Sequence, residues 1–335
     1  MPDLPAEGGL LECLATSFGA TPVLHWEHDR MVPLRVLPSP MPGPRRRLPP
    51  WLKRPMPDQA MVATSEVVQR SGVATVCREA RCPNLTECWS HRTATFMILG
   101  DRCTRRCRFC AVTTARPGPP AADEPERLAA AVRSLGLRHV VITAVARDDL
   151  ADEGAGHFAA CVRAVRSASP ESTIEVLPAD FHARREPIAT LCDAAPDVYN
   201  HNLETVERLT PAVRPQAGYR RSLEVLRTVR RLCPQMITKS GLMVGLGETS
   251  DELRRTFTDL REAGCDVITI GQYLQPSGRL LPVARYYRPE EFEALAEEAR
   301  AAGFAGVACG PFVRSSYDAG EVYAALRANR PGCGG

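Results

Sequence analysis

The sequence predicts an α/β protein built as a partial (β/α)6 TIM-type barrel, and three observations predict it. From residue 94 onward, short apolar runs alternate with stretches of helical periodicity, the pattern of β/α units around a parallel sheet. The helical stretches carry start and stop signals, so strands and helices take turns. A loop crowded with cysteines, "CTRRCRFC", follows the first strand directly, at the strand end where such barrels place their reactive groups.

Each element follows from local chemistry. Residues 1–46 hold no sustained period and end in "PSPMPGPRRR", which predicts a poorly ordered, solvated leader. The segment 47–93 opens with "LPPWLKRP", read as extended chain anchored by Trp51. The barrel is expected over 94–304. Its strands are placed at 95–99, 139–145, 173–177, 198–203, 237–246 and 267–274. "DEPERLAAAVRSLG" starts at a potential Asp123 cap and stops at Gly136, while "TSDELRRTFTDLREAG" runs from a Thr/Ser cap to Gly264. Residues 289–304 give the last barrel helix. The C-terminal segment 305–335 carries a short strand, the stretch "RSSY" and a further helix.

Composition narrows the function. A net charge of +3, from 42 basic and 39 acidic residues, is too small to predict a nucleic-acid surface. No apolar run approaches the roughly 20 residues that a bilayer requires, so no membrane role is expected. Thirteen cysteines, an odd number, and an acidic N-terminus argue against a secreted disulfide framework and for a reducing, cytoplasmic compartment. Six of them lie between residues 77 and 110. Cys13, Cys161, Cys192, Cys233, Cys265, Cys309 and Cys333 have no mutual spacing and read as inert thiols.

Two cysteine triplets remain: Cys77, Cys82 and Cys88, then Cys103, Cys107 and Cys110. Soft thiolates select zinc, copper(I) or iron-sulfur clusters. Zinc wants four ligands in paired knuckles, and neither triplet supplies them; joining Cys82 and Cys88 to Cys107 and Cys110 requires a spacing wider than usual. A 4Fe-4S cluster takes one cysteine per iron, so three cysteines leave one iron open to an exogenous ligand. An electron carrier or a zinc-stabilised binding module is the alternative class, to be separated by metal and sulfide analysis.

CxxxCxxC with Phe109 before its last cysteine, set in a first βα loop, resembles the radical S-adenosylmethionine enzymes. "TVCREARCPNLTECW" together with "TATFMILGDRCTRRCRFCAV" is similar, more narrowly, to the lipoyl synthases. The likeness continues through "YNHNLETVERLTPAVRP", "TKSGLMVGLGET", "IGQYLQPSGRLLPV" and "GPFVRSSY", covering residues 47 to about 320.

The resemblance implies two 4Fe-4S clusters and S-adenosyl-L-methionine as cofactors, with the auxiliary cluster carried by the N- and C-terminal extensions. It implies insertion of sulfur at C6 and C8 of a protein-bound octanoyl-lysine, the auxiliary cluster being the donor. Cys103, Cys107 and Cys110 hold the radical-generating cluster; Cys77, Cys82, Cys88 and Ser316, with Ser315 as the alternative, hold the other. A hard serine oxygen suits a cluster corner that must be released. The implied partners are an octanoylated lipoyl carrier domain (an E2 subunit or a glycine-cleavage H protein), a ferredoxin or flavodoxin, and iron-sulfur assembly or carrier proteins. A related radical enzyme acting on another acyl or peptide substrate is the close alternative.

Around the cofactor, Gly241, Gly245 and Gly247 of "GLMVGLGE" let backbone approach a ligand at a strand-to-helix turn, and Glu248 beside them is a further candidate cofactor contact. Thr143 and Asp148 follow the second strand, Asp148 as a cofactor contact or a cap. His201 is either an acid or a structural histidine. Two positions depart from the family pattern: Ala146, where a polar residue is usual, and Gly278-Arg279-Leu280, where a histidine-containing basic run is usual.

Overall fold

The computed structural model describes residues 24–27, 30–33, 48–52, 59–90, 93–317 and 319–329. Residues 1–46 and 47–335 form two separate compact units. In the first, Leu24–Glu27 pairs antiparallel with Arg30–Pro33, a pairing that the sequence reading does not anticipate. The rest of the expected leader, including Arg45, Arg46 and Arg47, lies outside the described residues.

The second unit is built on seven parallel strands: β1 Thr95–Ile98, β2 His139–Ala144, β3 Thr173–Leu177, β4 Val198–Asn200, β5 Ile237–Val244, β6 Val267–Gln272 and β7 Gly306–Gly310. The first six head the six predicted β/α units. β7 comes from the C-terminal segment and pairs with β6, which extends the sheet by one strand beyond the predicted units. The short antiparallel Ala74–Thr75 borders β1 on the other side. The interiors of β1 to β6 are buried on both faces, as parallel sheets demand, while β7 at the edge is only half-buried.

Helix α1 is Gln59–Ser71 and α2 is Leu85–Ser90. The crossover helices are α3 Glu124–Leu135, α4 Ala155–Ala168, α5 Arg185–Cys192, α6 Tyr219–Leu232, α7 Ser250–Glu262 and α8 Pro289–Ala301; α9 is Ala319–Asn329. α3 ends on left-handed Gly136 as expected, but Asp123 binds Arg127 and does not cap the helix. α7 opens with a capping box between Thr249 and Glu252. Trp51 is 38% exposed while Leu52 is buried, so the predicted aromatic anchor is replaced by its neighbour.

The sheet is rolled. The Leu281 N–H, in the loop after β6, donates to the Arg108 carbonyl in the loop after β1 at 3.0 Å. In a flat sheet those strands would stand about 24 Å apart, five spacings of roughly 4.8 Å. α9 lies across the N-terminal strand ends, where Leu326 packs with Val198, Ile237 and Val267, and Tyr323 stacks at 6.1 Å on His139. Above it Lys239 donates to both oxygens of Glu175 at 3.0 Å, in a fully buried pair. Lys239 and the His139 ring hold that carboxyl below its ordinary range although burial pushes the other way.

Candidate active site

The loop that carries Cys103, Cys107 and Cys110 is shaped by the backbone at its start and by a pairing of its ends. It leaves β1 through Leu99 (φ +66) and Gly100 (φ +93), and its ends are tied where Arg102–Cys103 pairs with Thr113–Thr114. Leu99 is clamped from both sides. Its N–H donates to Glu124 at 2.8 Å, a carboxylate that also holds His157 at 2.7 Å, and its carbonyl accepts from Arg147 at 3.3 Å. These contacts stabilise a left-handed conformation that a leucine avoids on its own.

Cys103 Sγ accepts backbone N–H groups from Ala146 at 3.3 Å and Arg105 at 3.4 Å. Such donors stabilise a metal-bound thiolate. Ala146 therefore acts through its backbone, since its carbonyl also accepts from the N–H and hydroxyl of Thr104, and the missing polar side chain costs these contacts nothing. Burial pushes the Cys107 thiol up, with Arg214 working the other way, and pushes Cys110 to about 12. Both sense Cys103 electrostatically, so the three sulfurs share one space, and metal binding there releases protons.

Arg105 locks this loop to the sheet. Its buried guanidinium reaches Asp148 at 2.6 Å and Asp180 at 2.8 Å, while Asp180 also accepts from Arg221 at 2.8 Å. Burial opposes its charge, but the two carboxylates outweigh burial and hold its pKa above the ordinary value. Asp148, expected at the cofactor, is engaged by Arg105 and by Thr104 at 2.8 Å. Thr143 likewise donates to the Leu177 carbonyl at 2.7 Å. Glu248 accepts from the N–H groups of Gly245 and Leu246 and from Tyr287, and so closes its own turn. Gly245 faces the Gln272 side chain and the Arg285 carbonyl, and Phe109 is half-buried in the cysteine loop.

Further polar residues surround these: His201, which the sequence singles out, and Asn202, Glu204 and Arg214, which it does not. His201 is buried between the Pro178 carbonyl and Ser222 and has a pKa near 4, chiefly from burial, so it is a neutral structural histidine. Its neighbour Asn202 faces the other way. Asn202 donates to Glu204 at 3.1 Å and accepts from Ser315 at 2.9 Å, while Arg214 holds the Asn202 and Leu203 carbonyls. Glu204 is half-buried, and desolvation raises its pKa against the pull of Arg214. Strand alternation was the available signal: adjacent residues point to opposite faces.

The second triplet lies at the other end of β1. Cys77 Sγ meets the Thr95 backbone, with the buried Trp89 side chain nearby. Thr95 and Leu99 are four residues apart, or about 13 Å along a strand. Burial raises the Cys77 thiol. The C-terminal segment comes down to this region inside the rolled sheet. The Val313 carbonyl would lie 2.0 Å from a Cβ on Gly271, and Ser315 Oγ 2.8 Å from one on Gly241, so both strands need glycine there. Asn84, between Cys82 and Cys88, donates to the Phe312 carbonyl at 2.6 Å, and Tyr317 donates to Glu87 at 3.1 Å. "RSSY" is thereby held against the N-terminal cysteines.

The donor sets fit clusters. Three thiolates around one zinc at 2.3 Å would stand about 3.8 Å apart. Among the described residues, neither triplet brings its three sulfurs within 4.8 Å of one another; the groups that do close are Glu124, His157 and Cys161, and Asp148, Glu153 and His182. Three soft thiolates in each set are the donor type that iron-sulfur clusters take.

A rolled parallel sheet with a three-cysteine loop after its first strand defines a radical S-adenosylmethionine enzyme, and residues 97–260 match the Radical SAM superfamily model. The fold is similar to that of methylornithine synthase (TM-score 0.50, 13% identity, 63% of this chain and 70% of that one). The chain is 53% identical over 290 residues to the lipoyl synthase of Rubrobacter xylanophilus, covering 86% of this chain and 90% of that protein. It is 51% identical over 307 residues to that of Symbiobacterium thermophilum, covering 91% and 96%. The chain belongs to the lipoyl synthase family.

Proposed function

We propose that the two cysteine centres act on one acyl chain lying between them in the lumen, the C6 and C8 positions of an octanoyl group on a carrier-protein lysine receiving sulfur. The observation that carries this reading is the placement of the triplets at opposite ends of β1, with the lumen between. When bound, S-adenosylmethionine and a reduced first cluster would supply hydrogen-abstracting chemistry, and the second cluster would supply sulfur.

This chain's residues do the positioning. Cys103, Cys107 and Cys110 hold the first cluster, with the Ala146 and Arg105 N–H groups stabilising the Cys103 thiolate. Asn202, Glu204 and Arg214 present polar groups to the space beside it. Cys77, Cys82, Cys88 and Ser316 hold the second cluster. The Ser315 hydroxyl donates to Asn202, which favours its neighbour as the ligand. The dry, buried strand interiors protect a radical from water. The carrier is a lipoyl domain of an E2 subunit or an H protein, the reductant a ferredoxin or flavodoxin, and assembly proteins restore the clusters. Among the described residues no helix is long and apolar enough to cross a membrane.

Mass spectrometry of an octanoylated lipoyl domain after anaerobic turnover tests this reading. The expected product carries two sulfurs; deoxyadenosine without sulfur transfer contradicts it.

A further inference from the structure

The mouth of the lumen, on the side of the first cysteine loop, carries unpaired positive charge. Arg102, Arg106, Arg108, Arg116 and Arg279 are all exposed. Arg106 and Arg108 flank Cys107, and the backbone contact from Leu281 to Arg108 brings the loop bearing Arg279 beside them. Arg116 lies two residues beyond Thr114, whose strand pairs with Arg102–Cys103, and its charge acts on the Asp149 carboxylate from beyond ion-pair distance. Among the described residues Arg106, Arg108, Arg116 and Arg279 form no ion pair, and Arg102 has only a loose one, at 3.9 Å to Asp101.

The nearby carboxylates are already engaged. Asp148 binds Arg105, Asp149 binds Arg147 at 2.8 Å, and Asp152 accepts the N–H groups of Gly154 and Gly156 at 2.9 Å. What the rim offers to a visitor is therefore a cationic arc. An arc of unpaired arginines is an electrostatic docking surface that needs an acidic counterpart.

We propose that this arc docks an acidic face of the acyl carrier protein, next to its acylated lysine. The inference rests on the reading that the substrate is carrier-borne. A carrier that lowers a lysine-linked chain into the lumen must settle around the mouth, whereas an electron donor can approach from any side within transfer distance.

The test is the double variant R116E/R279E, at positions away from both cysteine triplets, assayed with octanoylated carrier and with an uncharged octanoyl-lysyl peptide. The expected result is a KM for carrier raised about tenfold, with kcat and the peptide reaction unchanged. The wild-type KM should also rise between about 0.05 and 0.3 M salt, as the screening length shortens. An unchanged KM in the variant and in salt overturns the inference. So does slower cluster reduction by flavodoxin with the carrier KM unmoved, since the arc would then serve the donor. Failure of the wild-type enzyme to add sulfur to either substrate counts against the proposed function instead.

Discussion

Tyr317 donates its hydroxyl to Glu87 at 3.1 Å across 230 residues of sequence, and so fastens the C-terminal segment to the helix that carries Cys88. With the Asn84 to Phe312 contact it brackets Ser315 and Ser316. Removing that hydroxyl in Y317F should cost about 1 kcal/mol of stability, the usual net worth of one hydrogen bond. A double-mutant cycle with E87A checks this: the pair should show coupling, while additive losses would mean that the contact does not hold the tail.

Gly271 gives a sharper test of the same seating. A Cβ there would meet the Val313 carbonyl at 2.0 Å, and backbone cannot step aside without moving the segment. G271A should therefore expose residues 311–317 to limited proteolysis and lower the sulfide content of anaerobically reconstituted protein by roughly half, while leaving the far-UV circular dichroism of the barrel intact. Unchanged proteolysis would show that the segment runs elsewhere.

Asp180 should matter more than Asp148 for the first cysteine loop. Its side chain is fully buried between Arg105 and Arg221, whereas Asp148 is partly open to water. Taking one partner from a buried ion pair costs about 3–5 kcal/mol, against far less for an exposed one. D180A should lose stability on that scale and load less iron; D148A should lose less of both. Urea denaturation and iron analysis in a C77A/C82A/C88A background make the comparison.

His201 makes the fold acid-sensitive within a definite window. Its folded pKa, near 4, lies below the ordinary 6.5, so the unfolded chain binds more protons between those values. The stability that comes from keeping it neutral is complete above pH 6.5 and is lost as pH falls toward 4, by at most about 3 kcal/mol. Urea melts across that range should show the slope in wild type and a flatter one in H201Q.

Much of this was legible in the sequence because it is local. Strand and helix alternation, the Gly136 and Gly264 stops and the three-cysteine spacing are each set by residues a few positions apart. β7 was readable as a strand, but its place beside β6 is a tertiary fact. Asp148 had two readings from sequence, cofactor contact or helix cap, because an acid at a strand end has several uses, and only the fold shows Arg105 reaching it. His201 drew attention as the reactive residue type, although alternation turns Asn202 and not His201 toward the lumen. The pairing of Glu87 with Tyr317 had no signal in a single sequence, since nothing in either segment encodes a partner over two hundred residues away.

The division of labour between the two triplets is tested most directly by counting products from a variant that lacks one of them. C77A/C82A/C88A protein, reconstituted and reduced without oxygen, should still cleave S-adenosylmethionine to 5′-deoxyadenosine but leave the octanoyl carrier free of sulfur. Lipoyl product from that variant, or no cleavage from a protein whose Cys103, Cys107 and Cys110 centre is fully loaded, would contradict the account.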